Sequence, residues 1–494
     1  MDYKKSELPL PTSELINDSD MPYCDVSSLI PNETTISAIE SSPTDYFTFI
    51  ELLESLSNTE KVNNDLHTKS ILEKFNLFIQ KNYKRINELN IFFKYKTFTL
   101  LLTYTYYSYD NKLRKYAYIC LSTIVAAFPN SILYLINNGY LTSIDYILNK
   151  WELYENKPFL PPIFNGIGNL LYHMKKSQNE EIIKSLQVFI NIRHLVNIAN
   201  AKMEPKCFKQ VMFLINQLYT QPYFSIEKDL FPLFLEMAQR VILSTISKEI
   251  CLDKAHLRAL EIIYLFCSDK NIPNEYKKEN IMKLSIHECL NRYFDVQDIY
   301  QEKVMVSRII ALFYYLDIPD TYCIILKIVI MLELPPETGT TDDICESLKE
   351  IIETEKDGLL DFLYEHNFLN ILISLINSGI FDYVVKSTLI NLIATCVVFH
   401  GNSSIPDIYF TQGCFDIFLN LLDDDSNEYA ERIIRALSIL YETGNNRGII
   451  DILNEIMRLC DGVSIIDHYT LHQNEKVAAM AILIRSFIPE LQFT

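Results

Sequence analysis

Asn138-Gly139-Tyr140-Leu141-Thr142-Ser143-Ile144-Asp145-Tyr146-Ile147-Leu148, His366-Asn367-Phe368-Leu369-Asn370-Ile371-Leu372-Ile373-Ser374-Leu375-Ile376 and Gln412-Gly413-Cys414-Phe415-Asp416-Ile417-Phe418-Leu419-Asn420-Leu421-Leu422 share one layout. Gly or Asn stands at a break, a large apolar residue follows two later, another three after that, and an apolar pair three further on. The break calls for Gly or Asn because a chain leaving one helix to start another passes through a left-handed conformation that other residues adopt at a cost. Behind the second and third windows run amphipathic helices over 381–397 and 430–441, so helix, break, helix, helix recurs.

Elsewhere the same three-and-four spacing persists. Leu113, Tyr116, Ala117, Cys120, Leu121, Ile124 and Val125 trace one buried helix face. Thr97–Tyr109, crowded with Thr and Tyr, invites a strand assignment, but its helical neighbours make a helix the better reading. Glycine supports this: 11 in 494 residues is sparse for a strand-rich chain, which uses glycine at its turns. Residues 1–44 differ, with Pro9, Pro11, Pro22, Pro31 and Pro43 among Ser, Thr and acidic residues, and are expected to be a disordered tail. Residues 45–494 are expected to be one helical-repeat domain.

The repeat resembles the armadillo repeat, three helices in about 40 residues, and its two-helix HEAT neighbour. Besides the three windows, Arg435-Ala436-Leu437-Ser438-Ile439-Leu440 is similar to the apolar helix that closes an armadillo unit. The resemblance implies an all-α, right-handed α-solenoid of about ten units. Each unit would bury its apolar face on its neighbours and leave a concave side for partners.

The eleven cysteines have no repeated short spacing, and no basic segment precedes an apolar one near the start. An intracellular protein follows, cytoplasmic with the nucleus open to it. The uncharged stretch Tyr116–Ile144 is broken by Pro129, Asn130, Asn137, Asn138 and Gly139, so no membrane span is expected. The net charge of −19 opposes nucleic-acid binding, which depends on neutralising phosphates. That charge is unevenly spread. Residues 70–130 carry nine basic and three acidic residues, and residues 333–366 carry two basic and eleven acidic. Solvated helix faces can produce such a contrast; as partner surfaces, the two stretches would steer different ligands.

Catalytic chemistry finds no support. His468 and His472 stand four apart without the glutamate of a zinc-protease helix, and Gly166-Ile167-Gly168 lacks both the third glycine and the preceding strand of a phosphate loop. Asp423-Asp424-Asp425 lacks a calcium loop's glycine and reads as a helix N-cap. No enzyme activity, cofactor or metal is expected.

In armadillo proteins that hold extended peptides, such as importin-α adaptors, asparagines on successive third helices bind the peptide backbone beside tryptophans. Asn169, Asn216 and Asn391 resemble those asparagines, the first two being 47 residues apart. The tryptophan positions hold Asn165, Met212 and Ser387, and the first residues carry only Lys4 and Lys5 as basic groups, which disfavours a nuclear-import adaptor of the usual kind. The expectation is a scaffold that binds proteins or extended peptide segments. Its alternatives are a karyopherin-like transport receptor and a regulatory subunit tethering a kinase or phosphatase.

Overall fold

A computed structural model describes residues 43–59, 65–82, 89–106, 109–176, 179–201, 205–247, 255–296, 300–319, 321–332, 340–354, 358–400, 405–423 and 429–489. The expected tail, up to residue 42, lies outside them, as do Asp424 and Asp425. Every regular element among the described residues is a helix.

The helices fall into groups of two or three. A pair, α1 (Pro43–Asn58) and α2 (Asp65–Asn82), comes first. Triplets follow: α3 (Leu89–Lys94), α4 (Thr97–Tyr104) and α5 (Asn111–Ala127); α6 (Ile132–Asn137), α7 (Tyr140–Asn149) and α8 (Leu160–Lys176); α9 (Glu180–Phe189), α10 (Ile192–Ala201) and α11 (Phe208–Tyr219). The pair α12 (Phe231–Ile246) and α13 (Ala255–Ser268) precedes the triplet α14 (Asn274–Lys283), α15 (Ile286–Val296) and α16 (Tyr300–Tyr315). Next come the pair α17 (Thr321–Met331) and α18 (Thr340–Ile352), and the triplet α19 (Leu359–Glu365), α20 (Phe368–Asn377) and α21 (Tyr383–His400). The last are the pair α22 (Gln412–Leu422) and α23 (Ala430–Asn446), and the triplet α24 (Ile450–Leu459), α25 (Gly462–Tyr469) and α26 (Glu475–Phe487). Thr97–Tyr104 is a helix, as its neighbours required.

Two compact units divide the chain, the N-terminal one reaching Phe266 and the C-terminal one starting at Cys267. Within the N-terminal unit the closing helices α2, α5, α8 and α11 pack in succession; within the C-terminal unit α16, α18, α21, α23 and α26 do the same.

Five triplets join their first two helices through one left-handed residue: Lys96 (φ 54°), Gly139 (φ 93°), Ser285 (φ 49°), Asn367 (φ 61°) and Asp461 (φ 53°). Each donates its backbone N–H to the carbonyl three residues earlier, at 3.0–3.2 Å, which closes the first helix and redirects the chain into the second. Only Gly139 and Asn367 carry the expected residue type. Lys96, Ser285 and Asp461 adopt a conformation that costs an L-residue about 1 kcal/mol, because the packing on either side fixes the turn. The third window departs from expectation. Gly413 lies inside α22, which the chain enters through a 3-10 turn (Asp407–Phe410) and an extended Thr411, so that joint needs no left-handed residue. Asp423 likewise closes α22 at its C-terminal end and caps no N-terminus.

The helix α8 is buried from Leu160 through Met174. Its two glycines make this possible: a Cβ on Gly168 would lie 2.6 Å from the Phe213 ring of α11, and one on Gly166 2.6 Å from the Tyr140 hydroxyl of α7. The G-x-G is therefore a packing device. Among the described residues, α21 alone as a single helix is long and apolar enough to cross a membrane. Its segment Ser387–Val397 is buried, and the helix packs on α18 and α23.

Candidate functional site

In the N-terminal unit, buried polar side chains link each closing helix to the next. The Thr123 hydroxyl of α5 donates to Asn76 Oδ1 of α2 at 2.6 Å. From α8, Asn165 donates to Ser122 Oγ at 2.8 Å, Asn169 to the Ser122 carbonyl at 3.2 Å, and His173 reaches the Ala126 carbonyl at 3.2 Å. Burial lowers the His173 pKa, so the ring is neutral. Asn216 of α11 donates to Glu261 of α13 at 2.8 Å. Asn76, Thr123, Asn169, Asn216 and Glu261 thus recur every 45–47 residues. Asn169 is 0% exposed and Asn216 9% exposed, and both amides are held by the protein itself. The sequence showed the 47-residue step from Asn169 to Asn216, but Thr123 and Ser122 interrupt the row of asparagines and concealed its start at Asn76.

The third asparagine belongs to the C-terminal unit and has a different setting. Asn391 on α21 is 3% exposed, and its Oδ1 is buried without a hydrogen bond. Small hydroxyls on the adjoining closing helices turn back to their own backbones: Ser347 to the Asp343 carbonyl at 2.9 Å, and Ser438 to that of Arg435 at 2.8 Å. They leave their donors unavailable to the asparagine.

Beside α21, helix α18 presents a half-buried acidic face. Asp342, Glu346, Lys349, Glu350 and Glu353 follow one helical stripe, with Asp343 at its edge. Asp343 pairs with Arg308 of α16, Glu346 with Lys349, and Glu353 with Arg432 of α23 at 2.9 Å. Two carboxylates remain. Glu350 has neither ion pair nor hydrogen bond among the described residues, and burial pushes its pKa up to about 7 despite the pull of Arg308. Burial also raises Asp342. The nearby Thr388 hydroxyl eases that charge, but its proton goes to the Val384 carbonyl at 3.2 Å, and Asp342 Oδ1 stays without a donor. Even paired Asp343 is raised, because burial outweighs Arg308.

Asp342 faces α21, whereas Glu350 lies toward Arg308 of α16. Thr388 stands by Asp342 near the start of both helices. Further along, Thr395 accepts from Arg432 at 2.8 Å and donates to the Asn391 carbonyl at 2.8 Å, while Arg432 also holds Glu353. Asn391 lies between Thr388 and Thr395 on that side of α21. The excess of acid over base in 333–366 pointed to this region; which carboxylates lack partners depends on Arg308 and Arg432, far away in sequence.

Other candidates hold less chemistry. His468 and His472 flank the Tyr469 ring at 5.7 and 5.6 Å, and α25 ends at Tyr469, so the two are not on one helix face. An open cleft near Gln187, Ile190, Tyr223 and Phe224 contains Arg193, already engaged by Glu227 and Asp229.

No family model matches the chain, and no curated protein matches it. Among solved structures, an engineered protein from the Northeast Structural Genomics Consortium aligns with TM-score 0.60 and 14% identity, over 88% of this chain and 98% of its own. With the left-handed joints and the stacked closing helices, that likeness settles the architecture. The fold is an armadillo-like helical repeat. A β-catenin structure from work on the phosphorylation-controlled interaction with cadherin aligns with TM-score 0.44 and 11% identity over 90% of this chain and 96% of its own. The SYS-1 structure gives 0.44 and 10% over 90% and 100%. In armadillo-like terms, the asparagine ladder and the acidic face both lie on the helices that close each repeat.

Proposed function

We propose that this chain is a non-catalytic scaffold that binds another protein, and that the partner lies on the closing helices α18, α21 and α23. The observation that carries this reading is the half-buried acidic face of α18, where Asp342 and Glu350 have no ion pair among the described residues and burial raises the pKa of both. Half-buried carboxylates in excess of their cations destabilise the free protein, and a ligand that brings positive charge relieves them. Asn169 and Asn216 have intramolecular partners, so of the three asparagines Asn391 fits a binding role best. An intracellular, cytoplasmic location belongs to the same proposal.

Affinity capture of the full chain followed by hydrogen exchange with the purified partner tests this. Protection of 342–354 and 388–396 is expected, with 160–176 unchanged. Protection confined to the N-terminal unit would reject the assignment of the face. A stoichiometric kinase or phosphatase as the captured protein would specify a tethering subunit, and transport-factor cargo a karyopherin-like receptor.

A further inference from the structure

The first closing helix of the N-terminal unit keeps one flank uncovered. Leu72 and Asn76 of α2 face α5, where Cys120 donates to the Leu72 carbonyl at 3.5 Å and Thr123 to Asn76, while Phe75 and Phe78 stack on Phe49 of α1. On the side turned away from α5, Leu66, Ser70, Lys74, Leu77 and Lys81 follow one helical stripe, and all five are exposed. Leu66 is 77% exposed and Leu77 43%. Lys69 takes Glu73, but Lys74 and Lys81 form no ion pair among the described residues. Further along, α5 lies between α2 and α8, and α8 between α5 and α11. Units of such a stack bury their faces on both neighbours, so the free flank of α2 is where a preceding closing helix would lie.

A segment of this chain fits that flank. Glu33, Ile36 and Glu40 have the same spacing, in the same order, as Lys74, Leu77 and Lys81, and as helices both sets span about 10 Å. They are 41 residues apart, the length of one armadillo-type repeat. Closing helices of this unit run parallel, since the Cys120–Leu72 and Thr123–Asn76 bonds advance together along α5 and α2. In that orientation one register sets Glu33 on Lys74, Ile36 on Leu77 and Glu40 on Lys81. Asn32 suits an N-cap, and Ser41-Ser42 lead directly into Pro43 at the start of α1, as Phe128 leads from α5 into Pro129.

We propose that residues 32–42 form a short helix that packs parallel to α2 on its free flank, in that register, and caps the stack. The tail expected from composition then ends before Asn32. Charge chooses this occupant: two carboxylates meet two lysines, whereas a second copy joining through the same flank would set lysine against lysine. A helix this short is not stable alone, so its order depends on the α2 face. The inference stands apart from the scaffold reading and its acidic face.

Hydrogen exchange on the full chain tests this. Amides 36–40 are expected to exchange about tenfold more slowly than in a free peptide of residues 30–42. Lys74→Glu with Lys81→Glu should abolish that protection, and adding Glu33→Lys with Glu40→Lys should restore it, with α5 and α8 equally protected in all three proteins. The control Lys112→Glu with Lys175→Glu reverses the same charge at exposed positions of α5 and α8 and should change nothing at 36–40. Free-peptide exchange in the parent chain, equal loss in the control, or no rescue by the charge swap would overturn the inference. Protection of α2 that fades on dilution would do so as well, by assigning its flank to a second copy.

Discussion

The two units solve the same packing problem with different polar chemistry. In the N-terminal unit, closing helices are joined mainly by neutral hydrogen bonds between fully buried side chains, and α8 shows no side chain to solvent before Lys175. In the C-terminal unit, the links Arg308–Asp343 and Arg432–Glu353 are ionic, and two further carboxylates have no cation. Neutral hydrogen bonds between buried side chains stabilise a stack without adding charge to it. Half-buried charges in excess of their partners destabilise the free protein and favour whatever neutralises them. The same repeat can therefore be structural in one unit and receptive in the other.

The largest test of this contrast is Gly168→Ala. The Phe213 ring against Gly168 is itself fully buried, so it cannot yield to a Cβ 2.6 Å away, and a loss of about 1–3 kcal/mol is expected in denaturant unfolding. Asn169→Ala should cost about 1–2 kcal/mol by removing the amide donor from the Ser122 carbonyl. Asn391→Ala, which removes an acceptor that bonds nothing, should cost less than about 1 kcal/mol. Similar losses for the two asparagines would erase the distinction between the units.

Charge gives the next test. The pKa of Glu350 rises from 4.5 in the unfolded chain to about 7 in the fold, so the folded state holds the proton more tightly. Its contribution to stability is complete below pH 4.5 and is lost as pH rises through about 7. Glu350→Gln should therefore be more stable than the parent at pH 8 by on the order of 1–3 kcal/mol, and the difference should vanish near pH 4.5. A gain independent of pH would remove the burial argument. The smallest effect is expected at Gly413. It lies within α22 with nothing near its missing Cβ, so Gly413→Ala should stabilise by about 0.5–1 kcal/mol, whereas Gly139→Ala should destabilise, its φ being 93°. The thermal midpoints of this pair separate a helical glycine from a joint glycine.

The joints show how far pattern reading goes. Gly139 and Asn367 were legible because their residue types announce a left-handed turn. Lys96, Ser285 and Asp461 do the same work unannounced, and Gly413 announces a turn that the chain makes by other means. Residue type records intrinsic preference, while a turn held between two packed helices is imposed by both. The site was legible to a similar depth. The 47-residue step picked out Asn169 and Asn216 at equivalent places, but equivalence says nothing about whether an amide is already bonded.

Apolar spacing by itself determined that the chain is helical and that its helices recur in short groups, because a stripe repeated every three to four residues can be buried only by neighbouring helices. Local charge counts marked an acidic stretch. Only the tertiary structure decided which polar groups are spent on the fold and which remain open, because a hydrogen bond or ion pair between closing helices joins residues 35 or more positions apart, and no local pattern specifies whether that partner arrives.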